Sequence, residues 1–323
     1  MTDIVVEGVL DGRKELARSE LVDLMEMFSM KGKENPIKSI IVAKDFNLTV
    51  GALLEASCGG ADYDSRHDYG IAVAKVIPQV ENNQLLFVLV LSGEAFGEWS
   101  ESSHLDRTAL IAHEFIHMYD GRYLWKLRGV DSLGEPPHNR QGILEGLAWI
   151  TWEEYHAERV VYECIKKIAE DQKHRNSIHL TFSRSMGQAE DLEKLVSSFR
   201  TYLRQNVGMF RLRKLSIDET FRGILSKVEG ILILSAYVSA IVDIHPPAKE
   251  KMTQIEQSKE WTDFFGESWS AILQSMRQMY DMGSDYDLRP LENISDMVEG
   301  ILGKCGLEIS DGREGLYVNV LDT

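Results

Sequence analysis

Residues 113–117 read His-Glu-Phe-Ile-His, inside the apolar segment Leu110-Ile111-Ala112-His113-Glu114-Phe115-Ile116-His117. On a helix, His113 and His117 stand one turn apart on the same face, so both imidazoles can reach a single metal ion. Glu114 lies about 100° further round the helix and is too close in sequence to be a third ligand on that face. It is placed instead to hold and deprotonate a water at that metal. Leu110, Ile111, Ala112, Phe115 and Ile116 surround the polar trio, which argues against a solvated surface helix that happens to carry two histidines. A helix apolar on several sides is buried, and buried histidines and carboxylates need partners.

A catalytic zinc site takes three protein ligands and keeps one position open. Residues 139–173 predict one long helix, on which Ile143, Leu147, Ile150, Glu154, Glu158, Val161 and Ile165 form a stripe at helical spacing. Every member is apolar except the two glutamates, and a carboxylate in a core-facing stripe calls for a charge or a metal. Glu153 falls on another face with His156 and Val160, where solvent is expected. Glu154 is therefore the expected third ligand. Glu158, one turn on, would hydrogen-bond a ligand histidine, with an exposed pairing along its own helix as the alternative. Asp120 shares the histidine face if the first helix continues through Gly121, and would there receive an N–H from a ligand histidine. A salt bridge from Asp120 to Arg122 or Arg140 is the other possibility.

His-Glu-x-x-His followed by a Glu on a later helix resembles the gluzincin metallopeptidases. Glu154-Tyr155-His156-Ala157-Glu158 is similar to the Glu-x-x-Ala-Glu element that carries the zinc-binding Glu in anthrax lethal factor-like peptidases. His113-Glu114-Phe115-Ile116-His117-Met118-Tyr119-Asp120 resembles the H-E-F-x-H-x-x-D form found there and in Mlc titration factor-type peptidases, and ImmA/IrrE-like proteins share the short layout. The resemblance covers roughly residues 85–165 and lies in the motifs rather than the whole chain.

It implies an α+β, zincin-like fold. Residues 1–130 would form a small sheet lobe ending in the His-Glu-Phe-Ile-His helix, and residues 131–323 a mainly helical lobe supplying the third ligand. It implies Zn2+ on His113, His117 and Glu154, with Glu114 as general base in hydrolysis of a protein or peptide. An oxyanion donor from the second lobe is expected. Tyr237 and His245 are candidates, but Tyr237 in its apolar helix also reads as a core tyrosine, so the role stays unassigned. The competing expectation is a catalytically silent zincin-like domain whose structural metal is closed by a fourth ligand, His138 or His156, and which acts as an interaction or regulatory protein.

Composition sets the outer limits. With 323 residues and 44% hydrophobic content, the chain can bury a full core as one bilobed domain or as two domains. No unbroken apolar run reaches the ~18 residues of a membrane span. The start, Met-Thr-Asp-Ile-Val-Val-Glu, shows no basic or apolar leader, so a cytoplasmic protein is expected. Cys58, Cys164 and Cys305 are odd in number and widely spaced, which fits a reducing compartment and neither a disulfide framework nor a thiolate site. A net charge of −16 argues against non-specific nucleic-acid binding. The basic stretch Arg200–Lys214 reads as a solvated helix face.

The elements that must position the site follow in order. An amphipathic helix is expected over 12–31, a short buried strand over Lys38–Ala43, a helix over Asn47–Ala56 and a polar loop over 61–70. Strands at 71–80 and 84–92 are joined by Glu81-Asn82-Asn83, a hairpin signal. Residues 84–92 are the candidate sheet edge for pairing with an extended peptide, with a buried inner strand as the alternative because Leu85–Leu91 is almost continuously apolar. Ser103-His104-Leu105-Asp106 has the form that opens a helix. Leu133–Asn139 breaks the chain between the two site helices, and His138 lies within it. Further helices are expected at about 185–207, 215–242 and 259–280, and a hairpin around Asp311-Gly312. Asp281, Asp285 and Asp287 lack calcium-loop spacing and read as a capped turn.

Overall fold

The fold is taken from a computed structural model that describes residues 2–28, 35–58, 66–67, 70–97, 101–128, 139–170, 175–245, 249–283, 287–312 and 315–321. The chain is α+β. Its elements run β1 (Asp3–Val6), α1 (Lys14–Phe28), β2 (Ile37–Ala43), α2 (Phe46–Cys58), β3 (Arg66–His67), β4 (Gly70–Ile71), β5 (Ala74–Glu81), β6 (Gln84–Ser92), α3 (Glu101–Arg128) and α4 (Arg140–Glu170). They continue with α5 (Arg175–Arg211), α6 (Ile217–Ile244), α7 (Lys249–Glu256), α8 (Lys259–Phe264), α9 (Gly266–Asp281), α10 (Arg289–Lys304), β7 (Leu307–Gly312) and β8 (Gly315–Val320). Two compact units divide the chain: Met1–Gly134 with Val160–Thr181, and Glu135–Arg159 with Phe182–Thr323.

The first unit is built on a four-stranded mixed sheet of order β1-β2-β6-β5, in which β1, β2 and β6 are parallel and β5 is antiparallel to β6. Alternation along the strands decides which helix each face receives. Ile40 and Val42 of β2 and Leu85, Phe87, Leu89 and Leu91 of β6 join Ala17, Leu21 and Leu24 of α1 and Ile111, Phe115 and Met118 of α3 in one core. Ala43, Val88, Val90 and Ile77 project to the other face, against Phe46 and Val50 of α2. Because β6 is buried on both faces it takes an inner position, so the expectation that 84–92 forms the sheet edge is corrected. The antiparallel edge is β5, and Pro78 within it is a residue that a sheet tolerates at an edge.

Asn82 and Asn83, at φ 50° and 59°, make the tight turn between β5 and β6. Asp45 caps α2 through Leu48 N–H, which donates to Oδ1 at 3.0 Å. β1 was not expected from the sequence. It is held at its end by Glu7 and Gly8 N–H, both donating to Val42 O. There the backbones of Gly8, Ala43 and Gly93 approach so closely that a Cβ on either glycine would overlap its neighbour's carbonyl.

In the second unit the buried residues include Phe199 of α5, Ile231 and Leu234 of α6, Trp261 of α8, Phe265 after it, Trp269 and Met276 of α9, and Ile294 of α10. The helix expected over 259–280 is two helices broken at Phe265, whose fully buried ring packs on Trp261 and Phe199 at centroid distances of 5.4 Å. The sequence reading also passed over α10. The terminal hairpin forms as β7 and β8. By length and composition α6 is apolar enough to cross a bilayer, and 72% of its most apolar window is buried inside the protein. Glu229, Ser235 and Ser239 interrupt it, so it contains no unbroken apolar run of that length. His138, Pro246-Pro247, Asp285 and most of the 61–70 loop lie outside the described residues.

Candidate metal centre

The histidine helix α3 runs unbroken from Glu101 to Arg128, starting two residues before Ser103 and continuing through Gly121. At Gly121 the helix lies close to the sheet: an added Cβ would stand 3.3 Å from Cζ of the buried Phe87. Helical spacing gives α3 three faces. Ile111, Phe115 and Met118 pack on the sheet, while Ala109 and Ala112 pack on Val161 and Ile165 of α4. His113, His117 and Asp120 share what remains. His113, Glu114 and His117 are half-buried, and Asp120 is buried at 4% exposure.

Helix α4 is a single element, and its Val161 and Ile165 pack on Ala109 and Ala112 of α3. Glu154 lies on the same stripe as Val161 and Ile165 and is half-buried. One ligand atom from each of His113, His117 and Glu154 lies within 4.8 Å of the others. Among the described residues no other set of three or more His, Cys, Asp or Glu side chains meets this closeness.

This donor set fits a zinc ion. The two Nε2 atoms of His113 and His117 are 2.8 Å apart, and two imidazole nitrogens on one tetrahedral zinc would stand roughly 3.3 Å apart at the usual Zn–N length. A small rotation of either ring closes that difference. Two neutral nitrogens and one carboxylate are also the ligand types that a hydrolytic zinc takes.

The surroundings of Glu154 are defined from its own unit. Tyr237 of α6 donates its hydroxyl to Glu154 Oε2 at 2.8 Å. The next residue makes the same kind of bond in the opposite sense: Tyr155 Oη donates to Asp243 Oδ2 of α6 at 2.5 Å. Arg277 of α9 donates from Nε to both Asp243 oxygens, at 3.1 and 3.0 Å. Arg159 Nη1 lies 3.6 Å from Asp243 and its guanidinium is stacked 3.8 Å over the Tyr280 ring. Asp243 sits in the last turn of α6, where a negative charge opposes the helix dipole, and the two arginines offset that cost. Burial, and then the bond to Asp243, pushes the Tyr155 phenol above its ordinary value, so it stays a donor at any physiological pH. The Asp243 carboxylate likewise holds the Arg277 guanidinium above its ordinary value.

The remaining expected residues distribute as follows. Glu158 is buried and accepts a long bond of 3.4 Å from Gln188 Nε2. Arg140, one alternative partner for Asp120, is bound to Glu299 instead, with Nε donating at 2.7 Å. His156 is outside the three-residue group, its ring stacked flat on Trp152 with centroids 5.0 Å apart and an 8° tilt. His245 is also outside the group and caps α6 by donating its N–H to Ile241 O at 2.7 Å. Sequence reasoning weighed Tyr237 only as an oxyanion donor or a core side chain, and its bond to Glu154 was missed. The one available signal was a lone aromatic hydroxyl in the aliphatic run Ile231–Ile241.

Comparisons of the chain with protein-family models, curated proteins and solved structures find no match.

Proposed function

We propose that the chain is a zinc-dependent metallopeptidase of gluzincin type, with a zincin-like fold, acting on protein or peptide substrates in the cytoplasm. The observation that carries this reading is the convergence of His113, His117 and Glu154 within 4.8 Å, with Glu114 beside the first histidine on a half-buried stretch of α3. Three ligands rather than four among the described residues is the number a hydrolytic site uses. The position of β5 also supports it. This strand is packed against α3 in the same unit, and among the described residues no strand pairs with its outer edge, where an extended peptide could add.

His113, His117 and Glu154 would hold the zinc. When bound, zinc supplies Lewis-acid chemistry, lowering the pKa of a water towards ~7 and polarising a carbonyl. Glu114 lies off the histidine face by about one residue's rotation, so its carboxylate can reach a water beside the ligands without joining them. With the ion bound, Glu114 would accept a proton from that water as its oxygen adds to the scissile carbon, and would return it to the amine that leaves. Bond formation and cleavage balance in this scheme: one C–O bond forms, one C–N bond breaks, and the proton passes through Glu114.

Metal content and peptide cleavage, measured together on wild type, Glu114→Gln and His113→Ala, test the proposal. Wild type should bind about one zinc and cleave. Glu114→Gln should keep its zinc and lose at least ~100-fold in cleavage, the usual scale for a missing acid–base group. His113→Ala should lose both. Loss of zinc from Glu114→Gln, or cleavage that survives this substitution, overturns the assignment.

A further inference from the structure

We infer that Pro78 closes the outer edge of β5 to a second copy of this chain, by removing a donor that a symmetric strand pairing through this edge needs near its centre. The inference goes beyond the metal reading and does not depend on it.

Ser92 N–H donates to Val73 O at 2.8 Å, and these two residues continue the register that pairs Ala74 with Leu91 and Glu81 with Gln84. In an antiparallel ladder alternate residues turn both main-chain groups towards the same neighbour. Val73, Lys75, Ile77, Gln79 and Glu81 therefore face β6 with theirs. Ala74, Val76, Pro78 and Val80 turn theirs the other way, to the side on which no strand pairs among the described residues. At this parity the missing N–H of Pro78 costs the β5–β6 ladder nothing and costs the outer row one donor.

Little else in the strand opposes self-pairing. Its sequence, Ala-Lys-Val-Ile-Pro-Gln-Val-Glu, is rich in β-branched residues, and Val80 is 44% exposed. Its only charges, Lys75 and Glu81, are of opposite sign, so charge does not keep a second copy away. Two copies meeting antiparallel through this edge are related by a two-fold axis, so each presents its own proline to the other. Each proline leaves a carbonyl of the opposite copy without a donor, and the loss is taken twice. An unlike extended peptide meets the gap once. A register that avoids both prolines keeps only Ala74 and Val76 on one side or Val80 on the other, too short a ladder to hold two chains together.

Sedimentation and hydrogen exchange of the full chain test this on wild type, Pro78→Val and Pro78→Thr. Both substitutions supply the N–H, and threonine does so with a hydroxyl in place of a methyl group. Each variant should self-associate about 30-fold more tightly than wild type, the scale of two hydrogen bonds made instead of left open. Exchange resolved to single amides gives the pairing its own signature. With rising concentration of either variant, the amides of residues 74, 76, 78 and 80 should gain protection, whereas those of 75, 77, 79 and 81 should be protected in the monomer already. Variants that associate no more tightly than wild type overturn the inference. So does association of Pro78→Val alone, which would trace it to added apolar surface, or association that leaves the even-numbered amides unprotected. Wild type that protects the amides of Ala74 and Val76 on concentration overturns it as well, because the edge would then pair despite the proline. Thermal midpoints of both variants, expected at or slightly above that of wild type because valine and threonine favour strands, show that the fold is kept.

Discussion

Arg107 is 3% exposed and Glu20 7%, and these two buried charges join α1 to the helix that carries the histidines. Arg107 Nε donates to Glu20 Oε1 at 2.9 Å, and His104 Nδ1 lies 2.7 Å from the same oxygen. The guanidinium also stands 5.5 Å over the Phe96 ring. Replacing such a pair by apolar groups can be neutral, but removing one partner strands the other in a medium that does not solvate it. Arg107→Ala should therefore cost about 3–5 kcal/mol in urea unfolding, whereas Arg107→Met together with Glu20→Leu should cost much less. A small loss in the single variant would mean that Glu20 reaches water more readily than its burial indicates. The interaction joins residues 87 positions apart, and no local pattern announces it. Glu20 stands in an amphipathic helix whose other charges are solvated. The histidines differ, because their chemistry depends on an i,i+4 spacing that is local and visible in the sequence.

At the level of elements, periodicity made α3 and α4 legible, and with them the stripe that carries Glu154. The β5–β6 hairpin was legible because two adjacent asparagines can adopt positive φ. Strand order was not, since a continuously apolar strand has the same appearance in several sheet positions. β1 has only four residues, too few for alternation to register, and α10 follows residues with weak helix signals. The Tyr237–Glu154 bond depends on how α6 packs on α4, which no spacing within either helix encodes. The glycines at the strand ends are similarly non-local. Gly93→Ala places a methyl group against the Gly8 carbonyl, and backbone cannot yield as a flexible side chain can. It should destabilise by about 1–3 kcal/mol, read as a lower thermal midpoint, through overpacking where three strands end together. The exposed Gly12, with nothing near an added Cβ, should accept alanine with little change.

For the molecule as a whole, one pH-dependent effect away from the candidate site comes from a thiol. Cys305 is fully buried at the end of α10, and burial holds it protonated far above its ordinary range. The unfolded chain releases that proton at about pH 8.5. Native Cys305 therefore binds more proton than unfolded Cys305 at higher pH, and its contribution to stability is full below about 8.5 and declines as pH rises beyond it. Wild type should lose stability between pH 8 and 9.5 more steeply than Cys305→Ala, with a difference in slope of at most ~1.4 kcal/mol per pH unit. Parallel slopes would show that the native thiol also ionises there. The bond from Tyr237 to Glu154 bears on a different property, the order in which a growing chain acquires its parts. The histidines leave the ribosome first, Glu154 follows, and Tyr237 comes on the order of ten seconds after His117 at ordinary rates of synthesis. A nascent chain thus carries His113, Glu114 and His117 well before Tyr237, so the hydroxyl that bonds Glu154 joins the candidate site only after most of the protein has been made.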